Sequence, residues 1–267
     1  MNKRIIAAWV GTTVLALTTT LPATAVTHGE LDGDAHPAVV LIVMDVDFQP
    51  AFRCSGTLIA PKLVLTAGHC TGEPGEFTGM RVFTESDVQN GDNNYPFGGG
   101  NNTIEAVSWA THPEFSSDLF FLHDVGMIEL AHRVKIPSSK FGTLPTVNSL
   151  DGLQVGTKTK FTAVGYGLQR INPAQVVSER IRMFATPHLL QINSGFTGDF
   201  SLLLSNNAST GGTCFGDSGG PNFLGTSLVI AGVTSFGLNG ACGGTGGVFR
   251  VDRADVQAFI NAFIAGH

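Results

Sequence analysis

Residues 211–223 read GGTCFGDSGGPNF. Five glycines, one cysteine and one proline surround a single serine, Ser218. Taken alone, the stretch is turn chemistry. Glycine admits positive φ, and Asp and Ser side chains bond to the backbone beside them. It also fits G-x-S-x-G, the tight strand-to-helix turn that presents a nucleophile in an α/β-hydrolase. One reading leaves Ser218 a polar loop residue; the other makes it reactive and implies a parallel α/β sheet. The pattern is too short to choose, so the choice falls to the rest of the chain.

A serine hydroxyl is a poor nucleophile at neutral pH. It needs a base, commonly histidine, and a carboxylate that fixes the histidine tautomer and stabilises its cation. It also needs N–H donors aimed at the oxyanion. LVLTAGHC places His69 after an apolar strand and a small-residue turn, beside Cys70. LHDVGMIEL places Asp124 just before another apolar strand. Its neighbour His123 would point to the opposite face of a strand and is read as a surface histidine. An α/β-hydrolase runs Ser, Asp, His, but the only histidine after Ser218 is His267, the last residue. The order here is His69, Asp124, Ser218. Asp45 or Asp47 could supply the Asp-then-His order of subtilisin, which would leave the strand pattern unexplained.

That pattern is β throughout. AVVLIVMDV (38–46), SGTLIA, PKLVLTAG, VGMIELA (125–131), TKFTAVGYG (159–167), SLVIAGVTSFG (227–237) and GGVFRV (246–251) are short runs divided by turn residues. Such spacing predicts an all-β barrel or sandwich and lacks βαβ alternation. One helix is expected, at the C-terminus. Val256, Phe259, Ile260, Phe263 and Ile264 form one apolar stripe, with Asp252 as N-cap and Gly266 as stop. Residues 86–103 read as an exposed loop, and residues 137–145 as a boundary between two halves.

The first 25 residues read as a secretory signal: Lys3 and Arg4, an apolar run from Ile5 to Leu17, then Ala23-Thr24-Ala25. Thirteen residues fall short of the roughly 18 of a spanning helix. A secreted protein with no membrane anchor after signal removal is expected. Loss of Lys3 and Arg4 takes the formal charge from −6 to −8. An acidic chain without basic clusters speaks against a nucleic-acid partner. Four cysteines in an exported chain suggest two disulfides. The short-range choice, Cys54–Cys70 and Cys214–Cys242, closes two local loops, each stabilising by about 3 kcal/mol. Without a C-x-x-C pair, structural zinc is not expected.

LTAGHC, DVGMIEL and CFGDSGGP, in that order and 55 and 94 residues apart at His69, Asp124 and Ser218, resemble the trypsin/chymotrypsin (S1) family of serine endopeptidases. The resemblance spans about residues 26–265; AVGYG (163–167) and SFG (235–237) extend it, with Tyr166 and Phe236 where tryptophan is usual. It implies two packed six-stranded antiparallel β-barrels with a C-terminal helix and the site in the cleft between them. Residues 26–143 would form the first barrel and 144–267 the second. His69 would be general base and then acid, Asp124 its orienting carboxylate, and Ser218 the nucleophile. The N–H groups of Gly216 and Ser218 would form the oxyanion hole. Signal cleavage would expose Val26, whose α-amino group would pair with Asp217 and order that loop. The specificity pocket would have Gly212 at its floor with Thr213 beside it, and Ser235, Phe236, Gly237 and Gly247 as walls. With no carboxylate at 212, the resemblance implies a chymotrypsin-like preference for large apolar side chains. Protein or peptide substrates, protein inhibitors and a monomeric state are implied, with no metal or cofactor. The acidic loop at Glu73, Glu76 and Glu85 is read as solvated, with calcium as the alternative occupant, and Asn101 and Asn207 head glycosylation sequons. A catalytically silent binding relative is the alternative, and an esterase a more distant one.

Overall fold

The computed structural model describes residues 26–172, 175–195 and 197–267; the expected signal segment lies outside them. Strand formation starts from the Val39–Val46 run, which turns at Asp47 and Phe48 into Gln49–Ala60. Both turn residues have positive φ, 50° and 62°, the twist that a two-residue hairpin requires. Six antiparallel strands then close a barrel: Val39–Val46, Gln49–Ala60, Leu63–Thr66, Gly126–Leu130, Thr103–Thr111 and Gly79–Phe83, in spatial order.

A second six-stranded ring runs Gly156–Gly165, His188–Ile192, Ser201–Asn206, Gly244–Arg250, Ile230–Gly237 and Pro221–Leu224. It closes because Pro221–Leu224 also pairs with Gly156–Gly165, Asn222 opposite Ala163. The expected fold class of two antiparallel barrels with a C-terminal helix is thus observed. The first residues do not stay with the first barrel, however. Glu30–Leu31 pairs with Met183–Ala185, a short strand that extends the second sheet.

Seven of the eight residues from Val39 to Val46 are buried, because this strand faces both its own barrel and the other. Leu41, Ile42, Leu58 and Phe83 of the first barrel form one continuous core with Phe223 and Phe249 of the second. Full burial of each such side chain stabilises by about 1.5–3 kcal/mol. The terminal helix, Ala254–Gly266, lays Val256, Ile260 and Phe263 into this core, while Ile264 at the stripe's end is exposed. Asp252 is not its N-cap; Arg253 holds that place. Buried Asp252 instead pairs with the Arg250 guanidinium and accepts from the Leu150 N–H, uses that outweigh capping inside a core. Gly266 lies within the helix, with His267 as C-cap. Among the described residues, no helix is long and apolar enough to cross a membrane.

Candidate active site

The strand Leu63–Thr66 ends in a single helical turn, Gly68–Thr71, and this turn carries His69. A Cys54–Cys70 disulfide ties the turn to the neighbouring strand, and Cys214–Cys242 is the second bridge, both as expected. Asp124 is fully buried just ahead of Gly126–Leu130. Its carboxylate accepts from the His69 N–H at 2.9 Å and lies 2.9 Å from His69 Nδ1. The Ser235 hydroxyl donates to the same carboxylate at 2.5 Å, from the second barrel. Burial opposes a charged His69 ring, but the Asp124 charge and hydrogen bond outweigh it and hold the imidazole above its ordinary pKa.

Ser218 and His69 both line a cavity of about 640 Å³. Among the described residues no hydrogen bond joins them, and such bonds are often long until substrate is bound. The loop around Ser218 is held from several sides. The Ser218 carbonyl accepts from the Ser55 N–H at 2.8 Å. Gly219 approaches so closely that an added Cβ would lie 2.0 Å from Thr66 Oγ1. Gly216 has φ +95°, a conformation open to glycine and costly for other residues.

The loop's peptide orientations follow from its carbonyls. The Phe215 carbonyl accepts from the Leu168 N–H and the Asp217 carbonyl from the Gly220 N–H. A trans peptide directs its N–H opposite its carbonyl. The N–H groups of Gly216 and Ser218 therefore point away from these partners, and neither donates to a protein acceptor among the described residues. The Ser55 hydroxyl also bonds the Gly216 carbonyl at 2.9 Å, fixing the next peptide.

Asp217 is completely buried behind the loop. It accepts from the Gly167 and Cys214 N–H groups, both at 2.8 Å. Burial dominates, pushing its pKa up to about 7. Val26 is equally buried, beside Met183 and Ala185, and Thr27 bridges to Gly212.

The expected pocket needs two corrections. Thr213, Ser235, Phe236 and Gly237 line the cavity, but Gly212 and Gly247 do not. A Cβ on Gly212 would fall 2.2 Å from Asn206 Cγ, so the Asn206 side chain covers that glycine. Asn206 accepts from Thr27 Oγ1 at 2.9 Å and donates to the Thr213 carbonyl at 2.8 Å. A Cβ on Gly247 would lie 2.3 Å from the Phe236 ring, which covers that glycine. Asn206 and Thr245 line the cavity in their stead. Neither residue carries a motif, and nothing local in the sequence marks them. His123 is likewise no surface residue: its side chain is 15% exposed and stacks on His112.

The family model described as Trypsin matches residues 34–260. This chain belongs to the trypsin family. Brachyurin from Leptuca pugilator is 30% identical over 72% of this chain and 78% of its own length. Chymotrypsin-like elastase family member 1 from Canis lupus familiaris is 26% identical over 68% and 69%, and Mus musculus chymase 27% over 63% of each. Among solved structures, HL collagenase superposes with a TM-score of 0.71 at 22% identity, covering 90% of this chain and 98% of its own. The protein titled HBP gives 0.67 at 21%, covering 90% and 96%. At these identities the two structures speak for the fold alone.

Proposed function

We propose that this trypsin-family chain is a secreted serine endopeptidase that cleaves peptide bonds through an acyl-enzyme. Ser218 attacks the carbonyl carbon, His69 takes its proton and passes it to the leaving amine, and Asp124 holds the ring and offsets its charge. Water, deprotonated by the same ring, then releases the acyl group. The Gly216 and Ser218 N–H groups receive the oxyanion. The observation that carries this reading is the buried Asp124 carboxylate on His69 Nδ1, beside the cavity that His69 and Ser218 both line.

Cleavage after Ala25 would place an ammonium group on Val26. A buried carboxyl with only two backbone donors favours such a partner, and Thr27 already bridges to the loop before Ser218. Apart from Glu76 and His69, the residues that line the cavity are uncharged, among them Thr213, Asn206, Thr245 and Phe236. This supports a preference for large apolar side chains before the cut.

Ser218→Ala tests the assignment. Peptide turnover should fall by about 10^6, the scale seen when a serine protease loses its nucleophile. Unchanged turnover would end the reading. A peptide-library profile should favour Phe, Tyr, Leu or Met; cleavage after Lys or Arg would overturn the pocket assignment. N-terminal sequencing of the secreted chain should begin at Val26.

A further inference from the structure

We propose that His112, His123 and Asp255 form a divalent transition-metal site that ties the C-terminal helix to the first barrel. The three residues come from separate elements. His112 follows the strand Thr103–Thr111, His123 precedes Asp124, and Asp255 lies in the first turn of the helix Ala254–Gly266. One ligand atom from each lies within 4.8 Å of the other two.

One of the three distances already fits coordination, and the near-parallel stack of the two imidazoles must open for both rings to bind one ion. With metal–ligand bonds of about 2.0–2.1 Å, ligands at tetrahedral angles stand about 3.3–3.4 Å apart. His123 Nδ1 already lies 3.4 Å from Asp255 Oδ2. That nitrogen is buried and has no hydrogen-bond partner, an unfilled position that a cation would fill. On the other side of the ring, His123 Nε2 lies 3.2 Å from Glu114 Oε2. A metal-bound histidine commonly gives its second N–H to a carboxylate, and Glu114 stands in that place.

His112 stacks on His123 with ring centroids 4.9 Å apart and planes 19° apart. Burial first, then the neighbouring His123, holds its pKa below the ordinary imidazole value. A neutral imidazole is the ligand form. His112 Nδ1 accepts from the Glu114 N–H at 3.2 Å. Coordination through either nitrogen ends that contact: the metal replaces the donor, or the ring proton moves to Nδ1. The bond given up is a long one. Two imidazoles and a carboxylate suit Zn²⁺ or a similar first-row ion, with the fourth place left to water. Asp255 is partly exposed and opens the site to solvent.

The test uses the untagged secreted chain with Zn²⁺ in equilibrium dialysis and Co²⁺ in visible absorption. One equivalent of Zn²⁺ should bind, and Co²⁺ should give the intense bands of tetrahedral coordination. Asp255→Asn and His123→Gln should each weaken binding about tenfold or more. His69→Ala and His188→Gln should bind as the parent does, which excludes the cleft imidazole and His188 as the source. Zn²⁺ should also slow amide exchange across residues 254–266 in the parent and not in Asp255→Asn. No binding in the micromolar range, or equal affinity in Asp255→Asn and the parent, would overturn the site. Binding without helix protection would overturn its role as a tie.

Discussion

Asp124 and Asp217 are both completely buried, both near the cleft, and opposite in how their charge is met. Asp124 faces an imidazole and a serine hydroxyl that crosses from the other barrel. Asp217 faces two backbone N–H groups and no cation at hydrogen-bond distance among the described residues. Two backbone donors do not replace hydration, and its pKa climbs to about 7. A buried carboxylate thus takes its role from its partner: in the proposed reaction Asp124 would stabilise a charge that appears during turnover, whereas Asp217, with the Arg53 charge as its one cationic influence, would take the Val26 ammonium.

The largest effect should come from removing the charge at the first site. Asp124→Asn should cut turnover by about 10^4, because the ring then holds the wrong tautomer. With neutral His69 as the proposed base, kcat/KM should rise with pH as the ring deprotonates. The midpoint should lie above 6.5 in the parent and drop in Asp124→Asn. A midpoint unmoved by this substitution would contradict the coupling of the two residues.

At the second site the same change should cost less and act differently. If Asp217 holds the Val26 ammonium as proposed, Asp217→Asn in the mature enzyme should loosen the Gly216 N–H and lower kcat by about 10^2–10^3. In the uncleaved chain the substitution should instead remove a pH dependence. The unfolded carboxyl ionises near 3.8 and the folded one near 7. Between these values the folded state holds the extra proton, so stability falls as pH rises from about 4 to about 7. Urea titrations across that range should show the decline in the uncleaved chain, and its absence both in Asp217→Asn and after cleavage. The smallest effect should be Ser235→Ala, which removes one hydroxyl from Asp124. Loss of one hydrogen bond to a charged group, about 1.5 kcal/mol, should lower kcat/KM about tenfold without abolishing the pH midpoint.

Much of the fold was legible because strand and turn residues recur along the whole chain, and because His69, Asp124 and Ser218 stand in an order that excludes the α/β alternative. Other parts were not legible, for a common reason: they depend on what lies opposite. Gly212 and Gly247 are expected as floor and wall of the pocket, yet the Asn206 and Phe236 side chains cover them. Asp252 has the chemistry of an N-cap, but Arg250 and Leu150 claim it inside the core. Alternation placed His123 outward, but residue 123 has φ +50° and no strand geometry, and its ring turns onto His112. The placement of residues 26–31 on the second barrel likewise follows from a pairing with Met183–Ala185, more than 150 residues away.

The most direct measurement is covalent labelling with a fluorophosphonate, followed by intact mass and peptide mapping. One adduct per chain should form, on Ser218, and His69→Ala should suppress it strongly. A folded mature chain that takes no label, or takes it on another residue, would contradict Ser218 as the nucleophile.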